Sequence, residues 1–189
     1  MRWDDGVERM AKLAQVLEEF PVRLEPLAGH HIEPLRAACA EDQEIWDIYP
    51  VSMLDDHFDE AMKTFHSTDN WVQLAVINTE TEKLVGMSNY INPDFNSKVI
   101  EIGGTYIAPS VRGSGFNDVM KKLMIDHAFA CGFTRIEFRV DTRNTRSMAA
   151  VLKLGAKHEG TLRKNRITWT GFIRDTAVFG LLQEEWANR

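Results

Sequence analysis

A chain of 189 residues is long enough to bury a substantial core, and 44% hydrophobic with 26% charged residues is ordinary for one globular domain. A net charge of −6 argues against a general affinity for nucleic acid, which needs a surplus of lysine and arginine on one face. The two cysteines, Cys39 and Cys131, form no CxxC and have no histidine pair nearby, so they offer neither a disulfide framework nor a metal site and read as free thiols in a reducing compartment. No signal peptide and no run of about 18 apolar residues is visible, which reads as a cytoplasmic protein without a membrane partner.

Along the chain, residues 4–20 place Val7, Met10, Leu13, Leu17 and Phe20 at steps of three and four, a stripe that predicts one helix ended by Pro21. This reads as an N-terminal helical extension, residues 1–20, ahead of a domain spanning 21–189. A strand V-R-L-E-P-L (22–27), a helix over 32–41, a loop holding W-D-I-Y-P (46–50) and a helix over 55–66 come next. Three strands follow at 71–77, 83–91 and 99–107, and their short, turn-rich links predict an antiparallel meander. The last of them contains Gly103 and Gly104, a pair that marks a bulge or a close ligand approach. Helical periodicity returns over 116–130, with Val119, Met120, Leu123, Met124, His127 and Ala128 on one side. A strand at 135–140, a helix at 145–154 closed by Gly155, and a terminal hairpin near 158–164 and 174–182 complete the chain. The order predicts an α/β (mixed α+β) fold around one central sheet, and its strand-helix-strand crossover creates a crevice at the strand ends.

The stretch V-R-G-S-G-F-N-D (111–118) lies between the strand ending at Ile107 and the next helix. A glycine loop opening a helix presents several N–H groups with the positive end of the helix dipole, which suits a phosphate, and Arg112 adds a charge. A Walker A loop would need G-x-x-x-x-G-K-[ST], but the first lysine is Lys121, inside the helix. A dinucleotide fingerprint would need a third glycine where Asp118 stands. A pyrophosphate held by R-G-x-G alone, after an antiparallel strand, remains.

That pattern resembles the acetyl-CoA loop of the GNAT acetyltransferase superfamily. The stretches E-I-G-G-T-Y-I-A-P-S-V-R-G-S-G-F-N, D-T-R-N-T-R-S, L-G-A and R-D-T-A-V-F-G are similar, at matching separations, to the RimL-type branch, which acetylates protein N-termini and other primary amines. The resemblance covers roughly residues 22–185 and implies a mostly antiparallel sheet with helices on both faces, whose fourth and fifth strands splay apart around the pantetheine arm. It implies acetyl-CoA as cosubstrate, held by backbone groups of Tyr106 and Ile107 and by the loop Arg112, Gly113, Ser114, Gly115, Phe116 and Asn117, more through N–H groups than side chains. Asn144 is expected to reach the pantetheine and Ser147 the thioester sulfur, although Asn also suits a helix N-cap. Where many relatives place a proton-donating tyrosine this chain has Val151, so Ser147 becomes the substitute candidate, or the thiolate leaves unassisted. Glu101 falls where several relatives keep a general base, against the alternative of a surface or salt-bridged glutamate. Trp46 and Tyr49 match an element lining the family's acceptor groove, and equally suit the core.

The six histidines show no ligand spacing and no metal is expected; Arg174 and Asp175 are expected to form an ion pair; Arg143, Arg146 and Arg166 could steer an acidic acceptor or the 3′-phosphate of CoA. The implied activity is acetyl transfer to a primary amine, a protein N-terminus or a similar group, by direct attack in a ternary complex. A small-molecule amine acetyltransferase and a non-catalytic CoA-binding sensor are the alternatives. The N-terminal helix and terminal strands leave pairing into a homodimer open.

Overall fold

The structure, a computed structural model, describes residues 3–189. Eight strands form one sheet: β1 (Leu17–Glu19), β2 (Val22–Pro26), β3 (Trp71–Asn78), β4 (Lys83–Asp94), β5 (Val99–Ile107), β6 (Arg135–Asp141), β7 (Lys157–Ile167) and β8 (Ile173–Leu182). They lie in the order β1-β2-β3-β4-β5-β6-β8-β7, and every neighbouring pair is antiparallel except β5 with β6. The helices are α1 (Trp3–Leu13), α2 (Ile32–Cys39), α3 (Asp55–His66), α4 (Phe116–Ala130), α5 (Thr145–Lys153) and the short α6 (Gln183–Ala187). No helix among the described residues is long and apolar enough to cross a membrane.

Period-two alternation sends successive side chains to opposite faces, and both faces are covered. On one face, Ile100 and Ile102 of β5 and Ile136, Phe138 and Val140 of β6 pack with Met120, Met124 and Ala128 of α4 and Val151 of α5. On the other, Met87 of β4 and Tyr106 of β5 meet Leu35 and Cys39 of α2 and Phe58, Ala61 and Met62 of α3. Each such side chain contributes about 1.5–3 kcal/mol by leaving water, so these two layers are what fix the sheet between the helices.

The helix expected over residues 4–20 ends at Leu13, and residues 1–2 of the expected extension lie outside the described residues. Leu17–Glu19 instead form β1, paired with β2 through Leu17↔Leu24 and Glu19↔Val22. Leu13 and Leu17 still reach the core, whereas Val7 and Phe20 are exposed. A short isolated helix is marginal, and the backbone partners offered by the free edge of β2 outweigh continued helical periodicity there. The stripe expected on α4 is also rotated: Phe116, Met120, Lys121, Met124, Ile125, Ala128 and Phe129 are the buried set.

The arrangement that matters most lies between β5 and β6. They pair only at Val99↔Arg135, Ile100↔Ile136 and Glu101↔Glu137. Beyond that point β5 follows β4 as far as Gly86↔Ile107, while β6 follows β8 to Asp141↔Thr176. The strands therefore part just after Glu101. With β1 counted, these are the fifth and sixth strands of the chain. The expected bulge sits at the parting: Asn89 Nδ2 donates to the carbonyls of both Gly103 and Gly104, each at 3.2 Å, and the β4–β5 register slips between Met87 and Asn89. Gly104 has φ +55°, and a Cβ there would come within 2.5 Å of Asn89 Nδ2. A Cβ at Gly103 would stand 2.9 Å from Glu101 Oε1, so the glycine leaves room for that carboxylate.

Candidate active site

Past Ile107 the chain makes a tight turn at Pro109–Val111 and enters the glycine loop before α4. Gly113 and Gly115 have φ of +77° and +86°, a region that strains any side chain, and a Cβ at either would meet nothing within 4 Å. The glycines are thus set by backbone conformation, and the space beside them is open. The N–H groups of Gly113, Ser114 and Gly115 donate to no acceptor among the described residues. With the first turn of α4 they form a ready anion cradle. The loop's side chains do other work. Ser114 Oγ donates to the Val111 carbonyl at 2.9 Å, Phe116 is buried in the α4 core, and Asn117 is half-buried at the helix start.

Arg112 departs from the expected phosphate ligand. Its guanidinium pairs with Asp42 and donates through Nε to the Ile107 carbonyl at 2.9 Å, and its backbone N–H donates to the Pro109 carbonyl. Burial opposes ionisation of Asp42, yet the Arg112 guanidinium outweighs it and holds the carboxyl below its ordinary range. Arg112 therefore clamps the loop to the segment after α2 instead of reaching a ligand.

Of the two backbone positions expected to face the cofactor, one turns away from β4 and one toward it. The Ala108 N–H donates to the Val85 carbonyl at 2.7 Å, and the Tyr106 carbonyl lies against Gly86, so both face β4. Ile107, between them, presents its backbone to the open edge left by β6. Tyr106 turns its backbone to β4 and its side chain inward, where the hydroxyl donates to the Ala38 carbonyl at 2.7 Å. Trp46 is likewise core: 1% exposed, stacked on Tyr106 at 4.8 Å, with its indole N–H on the Cys39 carbonyl. Tyr49 is the member of the pair that reaches the cleft, donating its hydroxyl to the Thr105 carbonyl at 2.5 Å; burial raises its pKa to about 12, so it is a neutral donor. The tip of the β7–β8 hairpin crosses to the same loop: the Trp169 backbone N–H donates to the Pro50 carbonyl at 3.0 Å and its indole N–H to the Trp46 carbonyl at 2.8 Å.

Glu101 stands at the apex of the parting, on the face away from α4. Burial pushes its carboxyl above the ordinary range, and Arg139, with Nε at 3.6 Å, only partly offsets this. A carboxylate with a raised pKa and space before it is suited to accept a proton. Asn144 caps α5, its Oδ1 accepting the Ser147 N–H at 3.0 Å. The Ser147 side chain is half-buried and has no partner among the described residues, while Val151 faces the core. Both cysteines carry pKa values raised by burial, Cys39 to about 12, which keeps them as unreactive thiols.

Three features escaped the sequence. Lys121 is 7% exposed, with Nζ donating to Thr105 Oγ1 at 2.6 Å and Ser88 Oγ at 3.3 Å, and burial lowers its pKa to about 7. Its place between Met120 and Met124 on a buried stripe was the available signal. Arg174 does not pair with Asp175: neighbours in a strand point to opposite faces, and Asp175 instead accepts the Lys164 N–H at 2.7 Å. Finally, Glu25, His30 and His31 gather their ligand atoms within 4.8 Å, a closeness made by the fold rather than by spacing. Both ring nitrogens of His31 are already engaged there, Nδ1 by the Ala28 N–H at 3.0 Å and Nε2 by Glu25 at 2.8 Å.

Comparison with known proteins places the chain that builds this arrangement in a family. The sequence profile of the acetyltransferase (GNAT) domain matches residues 22–157. A crystal structure assigned as an acetyltransferase from T. thermophilus is 31% identical, with 92% of each chain covered and a TM-score of 0.82. A GCN5-related N-acetyltransferase from Brucella melitensis is 26% identical over 92% of this chain and 81% of its own, with a TM-score of 0.85. Mycobacterium smegmatis RimJ in complex with CoA-disulfide, 19% identical over 92% of this chain and 90% of its own, shares the fold with a TM-score of 0.78. A search of curated proteins finds no match. The chain belongs to the GNAT acetyltransferase family and is an N-acetyltransferase.

Proposed function

We propose that the protein transfers the acetyl group of acetyl-CoA to a primary amine, with a protein N-terminus as the acceptor type, by direct attack in a ternary complex in the manner of the RimL-like branch. The observation that carries this reading is the parting of β5 and β6 after Glu101, with the outward-facing backbone of Ile107, whose carbonyl Arg112 Nε occupies, leading to the unpaired N–H groups of Gly113, Ser114 and Gly115. An extended pantetheine arm suits such an edge, and a pyrophosphate suits the cradle. Mycobacterium smegmatis RimJ, which has the same fold, forms a complex with CoA-disulfide, which supports a CoA-type ligand here. Asn144, whose Oδ1 serves the helix cap, retains its amide N–H groups as donors to the arm.

In this reading Glu101 accepts the proton of the attacking amine and the Ser147 hydroxyl supplies one to the departing sulfur. An α-amine with a pKa near 8 is about a tenth neutral at pH 7 and needs only modest help, while a lysine side chain is poorer by roughly 3 kcal/mol. Glu101→Gln is therefore expected to lower kcat/KM by about 100-fold and to remove the acidic limb of its pH profile, with the larger loss for acceptors of high pKa. A rate and profile like the wild type's would make Glu101 a bystander. Ser147→Ala keeps the N–H that binds Asn144, so acetyl-CoA affinity should stay within about twofold while kcat falls about 10-fold or more. An unchanged kcat in steady-state assays would remove the serine from the mechanism. The reading as a whole is tested by acetyl-CoA turnover with a panel of amines; binding of CoA with no acetylation of any amine would replace it with a CoA sensor.

A further inference from the structure

The face of the sheet that carries Glu101 is lined with charge along β6 and β8. The strand β8 turns Ala177, Phe179 and Leu181 to the α4 core, so Arg174 and Thr176 face the other way, toward the side of Glu101. Each carboxylate on that face already has an arginine: Glu101 has Arg139, Glu137 has Arg135 and Arg139, and Asp141 has Arg143. Two arginines are left over. Arg174 is only 5% exposed, and its one side-chain bond is from Nε to Thr176 Oγ1 at 3.1 Å, which leaves both terminal nitrogens without an acceptor among the described residues. Arg166 lies directly opposite it across the β7–β8 ladder. Like charges facing each other across a ladder are destabilising, and the carboxylates nearest Arg174, Asp141 and Glu101, act on it without hydrogen-bonding its terminal nitrogens. Burial first, and then the Arg166 charge, lower the pKa of Arg174 against the opposing pull of Asp141 and Glu101.

We propose that Arg174, supported by Arg166, binds a carboxylate carried by the acceptor, so that the preferred substrates are amines bearing an acidic group a few bonds from the nitrogen. The planar fork of Arg174 fits a carboxylate through two parallel hydrogen bonds. Anchoring the acid there would leave the amine free to extend toward Glu101 on the same face. The carboxylate has two sources, the α-carboxylate of a free amino acid or an acidic side chain at the start of a peptide. A polycation would meet the arginine pair as a repulsive wall. This inference rests on the amine-acetylating reading above and narrows its acceptor.

The test compares kcat/KM for peptides beginning with Asp or Glu against the same peptides beginning with Asn or Gln, for free aspartate and glutamate against their α-amides, and for spermidine. At least a tenfold preference for the acid of one matched pair is expected, expressed in KM, and the pair that shows it identifies the source. In Arg174→Gln the preference should shrink to within about twofold of one, and in Arg166→Gln, which alters a more exposed residue, it should fall part of the way. Circular dichroism and acetyl-CoA binding report that both variants fold. Equal rates on acids and amides, or a preference that survives both substitutions, overturns the proposal while leaving an amine acetyltransferase intact. Should no amine be acetylated at all, the general reading fails separately, and calorimetry of glutamate and a glutamyl peptide on the CoA-saturated protein decides the site. Binding lost in Arg174→Gln supports it, and no binding overturns it.

Discussion

Gly115→Glu is expected to abolish CoA binding, weakening it by more than about 100-fold in calorimetry while the thermal midpoint moves by only a few degrees. Two effects add. The residue sits at φ +86°, where a side chain costs about 1–2 kcal/mol. The larger effect is electrostatic: a carboxylate beside the N–H groups of Gly113 and Ser114 occupies their cradle as an internal anion and repels a pyrophosphate. No protein atom lies within 4 Å of the new Cβ, so the fold tolerates the change. Gly115→Ala separates the two contributions, since it carries the backbone strain without the charge and should cost about 10-fold. Unchanged affinity in the glutamate variant would mean that the phosphates lie elsewhere.

The second large effect concerns stability. Lys121 Nζ has hydroxyls around it and no carboxylate, and burial alone takes its pKa from 10.5 to about 7. Because the folded value is the lower one, the unfolded chain binds more protons between the two, and stability rises with pH across that window. The penalty is complete below about 7 and gone above about 10.5. A window of that width corresponds to about 4–5 kcal/mol, less whatever other groups titrate there. Lys121→Met fills similar space and leaves Ser88 Oγ and Thr105 Oγ1 bonded to each other at 2.6 Å. The variant is expected to be more stable than the wild type by about 2–4 kcal/mol at pH 7 in urea unfolding, with the difference vanishing near pH 10.5. A wild type as stable as the variant at pH 7 would show that the amine is better solvated than its burial implies.

Much of this architecture was legible in the sequence because local periodicity and tertiary packing agree. Residues 55–66 and 116–130 are helical and 99–107 form a strand at the expected bounds, since apolar spacing, the breakers Pro109 and Gly115, and the glycine pair all favour the same outcome. Residues 14–20 failed where they disagreed: the helical stripe was real, but β2 offered an unpaired edge that no local pattern announces. The candidate site divides in the same way. The glycine turn with its unpaired N–H groups was legible because its conformation is local. Which backbone position faces the cleft depends on the β4–β5 register, and that excluded Tyr106 while keeping Ile107. Arg112 was misread because its partner, Asp42, lies 70 residues away. Arg174 and Lys121 are defined by what surrounds them in space, so their significance arises only after folding.

The bridge from the β7–β8 hairpin to the segment 44–50 has an evolutionary consequence. Both of its hydrogen bonds run from Trp169 to main-chain carbonyls, those of Pro50 and Trp46. Main-chain acceptors persist whatever side chains the segment carries. Mutations that change the side chains of the segment 44–50 can therefore accumulate in a lineage without detaching the hairpin from it. The surface on this side of the molecule can drift while the hairpin, the segment and the sheet between them keep their arrangement.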